Sequence, residues 1–492
     1  MEEHTGGTEG KRAGGYRPPD FRFGLSLWTT DGGTGILSIT ISGMRKGRTP
    51  LSPRKFAPVV LFVLLLSALL MMQFTHKLTL KWPQPNLTQQ EEPVQPAGGQ
   101  PSEERLVELN VTVSLPPESF ELLSEHTAAF ADKYPHIQVR LHNEEMHEGL
   151  YADWLNRQAL GHAPDVMLLD NGWVAPFAVK GHLMPADNAL AGDAQSDQLA
   201  SVLDPLRWNG YLWAVPKDLN PYALFWNGPM LEEAGLDGPP ESWDEWMEAA
   251  ARLAETDAEA DAEAGAGPQR LLLNLSPGNL SQLQLFVGKF EPGDDGAPWL
   301  PWASSEKQSE LLAALHGMSD RIAQLPAEDV GKLSGLIESG KLLAAILPWD
   351  SYEKLGQAAA GRLLRDDAAA GVPWLQGRSF AVSSRSEAEA EASLWIREMT
   401  EAAVQQADYV LSGRLPVRAS LYGGPQRRDG GSPPPGWKEL LEVKLPDNRL
   451  GPIRPGAAAD WLLWEKLWRE YSEGGLRLDL LAEALAAQGG SG

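Results

Sequence analysis

Residues 106–141 read LVELNVTVSLPPESFELLSEHTAAFADKYPHIQVRL, and the spacing of apolar residues changes twice within them. Leu106 to Leu115 alternate as a β-strand does, Ser119 to Tyr134 have the spacing of an amphipathic helix, and Ile137 to Leu141 are again strand-like. A strand, a helix and a second strand in this order predict a βαβ unit with parallel strands.

The alternation of helix and strand continues along the chain. Tyr151 to Gly161 predict a helix, and Asp165 to Leu169, with the sequence DVMLL, predict a buried strand of the parallel type. The sequence therefore predicts an α/β fold with helices on both faces of a sheet. In open α/β sheets, ligands bind at the carboxyl ends of the strands. The residues that follow DVMLL at that edge are Asp170, Asn171, Gly172 and Trp173.

Residues 56–74, FAPVVLFVLLLSALLMMQF, form an apolar run without a charged residue. At about 1.5 Å per residue, such a run is long enough to cross a hydrocarbon core of about 30 Å as a helix. A cleaved signal peptide is the alternative, but no A-x-A-like cleavage site follows the run. We therefore expect an uncleaved transmembrane anchor with a cytoplasmic N-terminus, because basic residues precede it. These residues are Arg45, Lys46, Arg48, Arg54 and Lys55.

The segments on either side of the apolar run lack the pattern of a packed core. Residues 1–43 show no sustained period, and we expect residues 1–55 to be a disordered cytoplasmic tail or, in part, an over-extended gene start. Residues 75–104 are rich in Pro, Gln and Glu, so they predict an extended stalk. The folded extracellular domain is then expected to cover residues 105–492.

Composition excludes several classes of function. The net charge of -24 argues against a nucleic-acid partner, which requires a basic surface. The chain contains no cysteine, which removes disulfides, thiolate zinc sites and cysteine nucleophiles. His142 to Glu148, HNEEMHE, could supply metal ligands, but a solvated charged segment is the favoured interpretation. We expect neither a metal nor a cofactor.

Six stretches of the chain, taken together and in order, resemble the extracellular solute-binding protein family of ABC importers, in its sugar-binding class. They are residues 109–142, 151–190, 211–246, 339–355, 379–400 and 413–421. The third of these contains YLWAVPKDLNPYALFWN, and the fourth reads SGKLLAAILPWDSYEKL. The resemblance implies a two-lobed α/β, periplasmic-binding-protein-like fold of a type II-like kind, with a hinge and a ligand cleft between the lobes.

The same resemblance implies where each lobe lies in the chain. Lobe one is expected to hold residues 106–215 and 380–412, and lobe two residues 216–377 and 414–486. The first crossing is expected at Val215 to Pro221, where two prolines flank polar residues and favour an extended connection. The second crossing is expected just after Trp374, and the third at Arg414.

A sugar ring has one apolar face and a rim of hydroxyls, so its site needs an aromatic plate and several polar groups. We expect the ligand-binding residues among aromatic and polar side chains at the ends of strands and at the crossings. The candidates are Asp170, Asn171, Trp173, Asn220, Tyr222, Trp349, Asp350, Trp374 and Arg414.

Each candidate also has a structural interpretation. Trp173 could pack its own helix, Asp170 and Asn171 could cap that helix, and Arg414 could form a surface ion pair. The i, i+3, i+7 spacing of three tryptophans near the C-terminus predicts the apolar face of a helix, and we assign these residues to packing. They are Trp461, Trp464 and Trp468.

The favoured function is a membrane-anchored protein that binds a carbohydrate by closing its cleft, with an ABC permease or a membrane sensor as partner. An alternative on the same fold is a surface sensor or scaffold whose sugar site is weak or lost. A third hypothesis is an extracellular glycoside hydrolase, but no pair of carboxylates stands out. The chain contains no G-x-S-x-G, P-loop, G-x-G-x-x-G or H-E-x-x-H motif, so it is not expected to be an enzyme.

Overall fold

A computed structural model of the chain describes residues 105–147, 149–264, 270–291, 306–370, 376–423, 431–442 and 457–489. The expected tail, anchor helix and stalk lie outside the described residues, as does Trp374. Within the described ranges, no helix combines the length and the apolar character that are needed to cross a membrane.

The strands form two main sheets and one short ribbon. They are β1 (Val107–Val113), β2 (Ile137–Asn143), β3 (Val166–Asp170), β4 (Arg207–Trp208), β5 (Tyr211–Leu212), β6 (Val215–Leu219), β7 (Tyr222–Asn227), β8 (Leu271–Asn274), β9 (Ile322–Ala323), β10 (Leu342–Pro348), β11 (Leu363–Ala370), β12 (Gly377–Val382) and β13 (Leu415–Pro416). The first sheet has the order β13-β6-β12-β3-β1-β2, and the second has the order β11-β7-β10-β8-β9. The ribbon pairs β4 with β5.

Helices connect and cover these strands. They are α1 (Pro117–Lys133), α2 (Leu150–Leu160), α3 (Asn171–Val179), α4 (Asp193–Ser196), α5 (Ala200–Leu203), α6 (Gly228–Glu233), α7 (Trp243–Ala264), α8 (Leu280–Phe290), α9 (Glu306–Gly317), α10 (Val330–Glu338), α11 (Trp349–Glu353), α12 (Gln357–Ala360), α13 (Glu389–Met399), α14 (Ala402–Ser412), α15 (Pro435–Glu442), α16 (Ala457–Ser472) and α17 (Leu478–Gly489).

The predicted βαβ unit is confirmed. Strands β1 and β2 pair in parallel, and α1 connects them. The helix begins with a proline in its first turn and ends with Lys133, as the fixed φ of proline and the helix dipole favour. Its buried residues Leu123, Thr127 and Phe130 recur at intervals of three to four, so one face of the helix packs on the sheet.

Each sheet has its own hydrophobic core. In the first lobe, Phe177 of α3 and Trp395 of α13 are completely buried with Phe380 of β12. In the second lobe, Trp246 of α7 and Phe286 of α8 pack edge to face at 5.2 Å. Burying a side chain of this size contributes roughly 1.5–3 kcal/mol or more. The two-lobed α/β architecture expected from the sequence is therefore present in the described residues.

A third core contains residues of both sheets. Leu219 of β6 and Phe225 of β7 belong to it, together with Trp349, Tyr409 and Leu441. Apolar packing thus joins the two lobes where the chain passes between them.

The chain passes from the first sheet to the second at Asn220 and Pro221, and it returns between Ala370 and Gly377. The expected lobe boundaries placed residues 216–219, Gly377 and β13 in lobe two. Their backbone hydrogen bonds place all of them in the first sheet, because β6 pairs with both β12 and β13. Arg414 therefore precedes a strand of the first sheet and is not at a crossing.

Candidate functional site

The chain connections between the two sheets start from the same row of strand ends in each sheet. In the first sheet β3 and β6 flank β12 and both run antiparallel to it, so they end at Asp170 and Leu219 on either side of the start of β12. In the second sheet Pro348, at the end of β10, lies opposite Tyr222, at the start of β7. We call these two rows of strand ends the facing edges, because the chain segments 220–221 and 371–376 join them.

Asn220 ties the two connections together. Its backbone N–H donates to the carbonyl of Gln376 at 2.7 Å, and its Oδ1 accepts from the backbone N–H of Asp350 at 3.0 Å. The N–H of Trp349 donates to the carbonyl of Pro221 at 3.0 Å. The side-chain oxygen of Asn220 therefore already has a structural partner at the start of α11.

Asn171 is also used within the protein. It is only 3% exposed, and its Oδ1 accepts from the hydroxyl of Ser379 at 2.6 Å. A Cβ on Gly377 would come within 2.4 Å of Asn171 Nδ2 and 2.7 Å of the Asp218 carbonyl. Only glycine fits at the start of β12, and Asn171 positions that strand.

A buried charge cluster lies along the facing edge of the first sheet. Asp218 forms ion pairs with Arg378 at 2.5 Å and with Arg414 at 2.8 Å. Burial acts to raise the pKa of Asp218, but these guanidinium groups and the ammonium of Lys217 hold the pKa well below its ordinary value. Arg414 thus binds a carboxylate inside the protein, and it does so with its side chain only 17% exposed.

Asp170 lies directly opposite Arg378 across the β3–β12 pair. Arg378 is occupied by Asp218, and no hydrogen bond or ion pair within the described residues reaches the Asp170 carboxylate. Burial raises the pKa of Asp170, although the charges of Arg378 and Arg414 oppose this. Asp170 is therefore a partly buried carboxylate at a strand end whose oxygens are free to accept hydrogen bonds.

The two predicted tryptophans within the described residues have different surroundings. Trp173 is half-buried and packs against Tyr151 and Trp154, with ring centroids 5.4 and 6.1 Å away. Trp349 is 3% exposed and lies in the third core, where its ring meets that of Trp437 at 5.1 Å. The position of Trp349 at a strand end agrees with the sequence, but its ring packs inward, which favours a structural role.

Tyr222 lies among polar groups at the start of β7. Its hydroxyl accepts from the side-chain amide of Asn279 at 2.6 Å. Burial raises the pKa of Tyr222 well above its ordinary value; the bond from Asn279 opposes the rise, and the charges of Glu328, Asp350 and Glu465 add to it. The Tyr222 hydroxyl at the second facing edge therefore has an amide partner and feels the negative charge of three carboxylates.

Helix α16 supplies residues that the sequence interpretation assigned to packing alone. Trp464 and Trp468 are 4% and 6% exposed and belong to the second core, as predicted. Trp461 is half-buried and also packs against this core, as predicted, and its indole N–H donates to Glu465 at 2.9 Å. The helix contacts both α3 of the first lobe and α8 of the second.

Trp461, Glu465 and Asn279 are therefore candidate site residues that sequence reasoning missed. The helical period of the tryptophans identifies the buried face, but it does not reveal that Trp461 lies at the margin of that face. The i, i+4 spacing of Trp461 and Glu465 was the only local signal.

The charged segment HNEEMHE has a structural role where it is described. Glu144 accepts two bonds from the guanidinium of Arg157, at 2.5 and 2.6 Å, and one from the indole of Trp154 at 2.8 Å. The described residues contain no group of three or more His, Cys, Asp or Glu side chains placed to hold a metal ion.

Most of the folded region is similar to known proteins. Residues 116–406 match the family model for bacterial extracellular solute-binding proteins. A Brucella abortus protein whose name describes a binding function is 25% identical over 93 residues, which are 19% of this chain and 23% of that protein. The match to such curated relatives thus spans less than a quarter of their length.

Solved structures share the fold at low sequence identity. The GacH receptor of Streptomyces glaucescens is 21% identical, with a TM-score of 0.55 over 77% of this chain and 97% of that chain. Maltose-bound MalE3 of T. maritima is 18% identical, with a TM-score of 0.56 and 78% and 98% coverage. The galacto-N-biose-/lacto-N-biose I-binding protein of Bifidobacterium longum is 16% identical, with a TM-score of 0.57 and 78% and 96% coverage.

Proposed function

Since this chain belongs to the family of bacterial extracellular solute-binding proteins, we propose that it binds a carbohydrate between the facing edges of its two sheets. The observation that carries the proposal is that the end of β3 holds Asp170, a partly buried carboxylate that caps no backbone N–H of the following helix, three residues before the half-buried Trp173. Trp173 follows Asp170 at the edge of the first sheet, and Trp461 donates to Glu465 in the second lobe.

The chemistry of these groups suits a sugar. An aromatic face packs against the apolar face of a pyranose, and carboxylate oxygens accept hydrogen bonds from its hydroxyls. The Asp170 carboxylate caps no backbone N–H of its helix, and the Tyr222 hydroxyl, which accepts from Asn279, keeps its proton to donate. A ligand that touches both edges would therefore donate a hydroxyl hydrogen bond to Asp170 and accept one from Tyr222.

Proteins of similar fold support this ligand class. The GacH receptor was solved with acarbose and with an acarbose homologue, MalE3 with maltose, and the Bifidobacterium longum protein with lacto-N-biose. The last is described as part of an ABC transporter. We extend to this chain the binding of a mono- or oligosaccharide, without turnover.

Binding would act by closing the two lobes around the ligand. A ligand that contacts both lobes stabilises the closed form over the open one by its differential affinity. An ABC permease or a membrane sensor would recognise the closed form. The apolar run at residues 56–74 would anchor the protein in the membrane, with residues 1–55 on the cytoplasmic side and the binding domain outside.

A thermal-shift screen of the full-length protein in mild detergent tests the proposal. The panel contains neutral mono- and oligosaccharides, with amino acids and polyamines as controls. A ligand at about 100 times its Kd adds about 2.7 kcal/mol to the free energy of unfolding. A shift confined to one sugar class supports the proposal. Cooperative unfolding at the same temperature with every sugar contradicts it and favours the sensor or scaffold function.

A further inference from the structure

The carboxylate of Asp218 binds three cationic side chains. Arg378 donates to both of its oxygens, with Nε 3.1 Å from each, and Arg414 donates from Nε at 2.8 Å. The ammonium of Lys217 lies 3.5 Å away and also pairs with Asp408 at 2.5 Å. The Asp218 side chain is only 3% exposed, so water does not replace any of these partners.

These residues lie next to the places where the lobes are connected. Asp218 is two residues before Asn220, where the chain leaves the first sheet, and Arg378 is the second residue after the returning connection. Arg414 follows Gly413, whose missing Cβ would lie 3.2 Å from Cα of Asp350 in the second lobe. The Asp218 carboxylate therefore binds side chains that lie beside both connections and beside the contact between Gly413 and Asp350.

We propose that Asp218 is a positioning residue that sets the equilibrium between the open and closed forms of the cleft. This inference rests on the proposed closure of the lobes. Asp218 fixes the start of β12 through Arg378 and the end of α14 through Arg414, and these two contacts set where the chain re-enters the first sheet and how α14 lies against α11.

The energetics favour a geometric role over a purely stabilising one. Burying an ion pair costs desolvation that its Coulomb attraction often fails to exceed, and apolar replacements of similar volume are frequently neutral or stabilising. A network of one buried carboxylate and three cations is thus poor evidence for stability alone. What the network does supply is a link between three strands, because Asp218 lies on β6, Arg378 on β12 and Arg414 directly before β13.

The distance between the lobes tests this inference without any ligand. The chain contains no cysteine, so two introduced cysteines can be labelled selectively with nitroxides. Leu160 of the first lobe and Glu338 of the second lobe are exposed positions suited to labels. Double electron–electron resonance on the full-length protein then gives the distribution of distances between the lobes.

We expect Asp218→Asn to shift or widen this distribution in the ligand-free protein. Arg414→Gln should change the distance distribution in the same direction but by less, because Arg414 is the more exposed of the two arginines that pair with Asp218. The matched control is Asp366→Asn, because Asp366 forms a buried ion pair with Lys289 at 3.1 Å that lies wholly in the second lobe. That variant should lower the unfolding temperature and leave the distribution unchanged.

Distances in Asp218→Asn that match those of the unsubstituted protein, or of Asp366→Asn, would overturn the inference. If Asp218→Asn does not fold, Arg414→Gln decides, and an unchanged distribution in that variant overturns the inference as well. The proposed ligand is tested separately by the sugar screen. A shift in distances without any sugar binding would reject the carbohydrate and leave the role of Asp218 intact.

Discussion

The Oδ1 atom of Asn220 accepts a hydrogen bond of 3.0 Å from the backbone N–H of Asp350. Asp350 lies in the first turn of α11, where backbone N–H groups have no partner within the helix. Asn220 therefore caps this helix from a distant segment, and the same residue begins the connection between the sheets. One side chain therefore links the connection between the sheets to the start of α11.

We expect Asn220→Ala to lower the free energy of unfolding by about 1–2 kcal/mol, because it removes a cap and leaves a buried N–H without an acceptor. Urea denaturation measures this loss. Asp329→Ala is the control, since Asp329 caps its own helix locally through the N–H of Lys332. Only Asn220→Ala should also change the interlobe distance, and an unchanged free energy in that variant would contradict this account.

Gly413 and Gly161 provide a matched pair. Both end a helix with a left-handed backbone, at φ of 77° and 78°. A Cβ at Gly161 meets nothing within 4 Å, whereas one at Gly413 would lie 3.1 Å from Cβ of Glu353 and 3.2 Å from Cα of Asp350. Gly161→Ala should cost about 1–2 kcal/mol from the left-handed conformation alone, and Gly413→Ala should cost more. Equal losses in urea denaturation would show that α14 does not pack tightly on α11.

Substitutions of Trp349 and Trp173 should distinguish a structural role from a role in ligand binding. Trp349 is 3% exposed, so Trp349→Ala is expected to lower the free energy of unfolding by about 3–5 kcal/mol. Trp173 is half-buried, and Trp173→Ala should lower it by less while weakening sugar binding. Chemical denaturation with a parallel ligand titration measures both effects. A greater loss of stability at Trp173 than at Trp349 would reverse these assignments.

Asp170 should make stability depend on pH. Burial raises its pKa in the folded protein above the unfolded value of about 3.9. Its contribution to stability is therefore complete below the unfolded pKa and is lost as the pH rises through the folded pKa. Asp170→Asn cannot ionise, so we expect it to unfold at a higher temperature than the unsubstituted protein near pH 7. The unfolding temperatures of the two proteins should become equal below about pH 4. A lower unfolding temperature for the variant at pH 7 would contradict this.

The local patterns in the sequence predict the first βαβ unit, whereas the two-lobed architecture was implied by the resemblance to the solute-binding family. The alternating and helical spacings of residues 106–141 predict β1, α1 and β2, and these elements are present. The boundary at β6 could not be predicted, because VPKDL reads as a polar connection. Its charges are neutralised by Asp408, Arg378 and Arg414, which lie far along the chain, so this polar strand can be buried.

The sequence predicts which candidate residues lie at strand ends, but not the direction in which their side chains point. A strand end before Trp349 fixes where its backbone lies, yet the direction of its ring depends on Trp437, from a distant helix. Arg414 likewise acquires its role from Asp218. Trp461 was missed because the same spacing describes both buried and marginal positions of a helix face.

The most direct test of the central claim is calorimetric titration of the full-length protein with the sugar that the thermal screen selects. The unsubstituted protein is compared with Asp170→Ala, in the first lobe, and Trp461→Ala, in the second. The account predicts saturable binding that each substitution weakens by about tenfold or more, since a hydrogen bond to a charged group contributes about 1.5–3 kcal/mol and an aromatic contact about as much. Absence of sugar binding, or binding that neither substitution changes, would contradict a carbohydrate site between the two sheets.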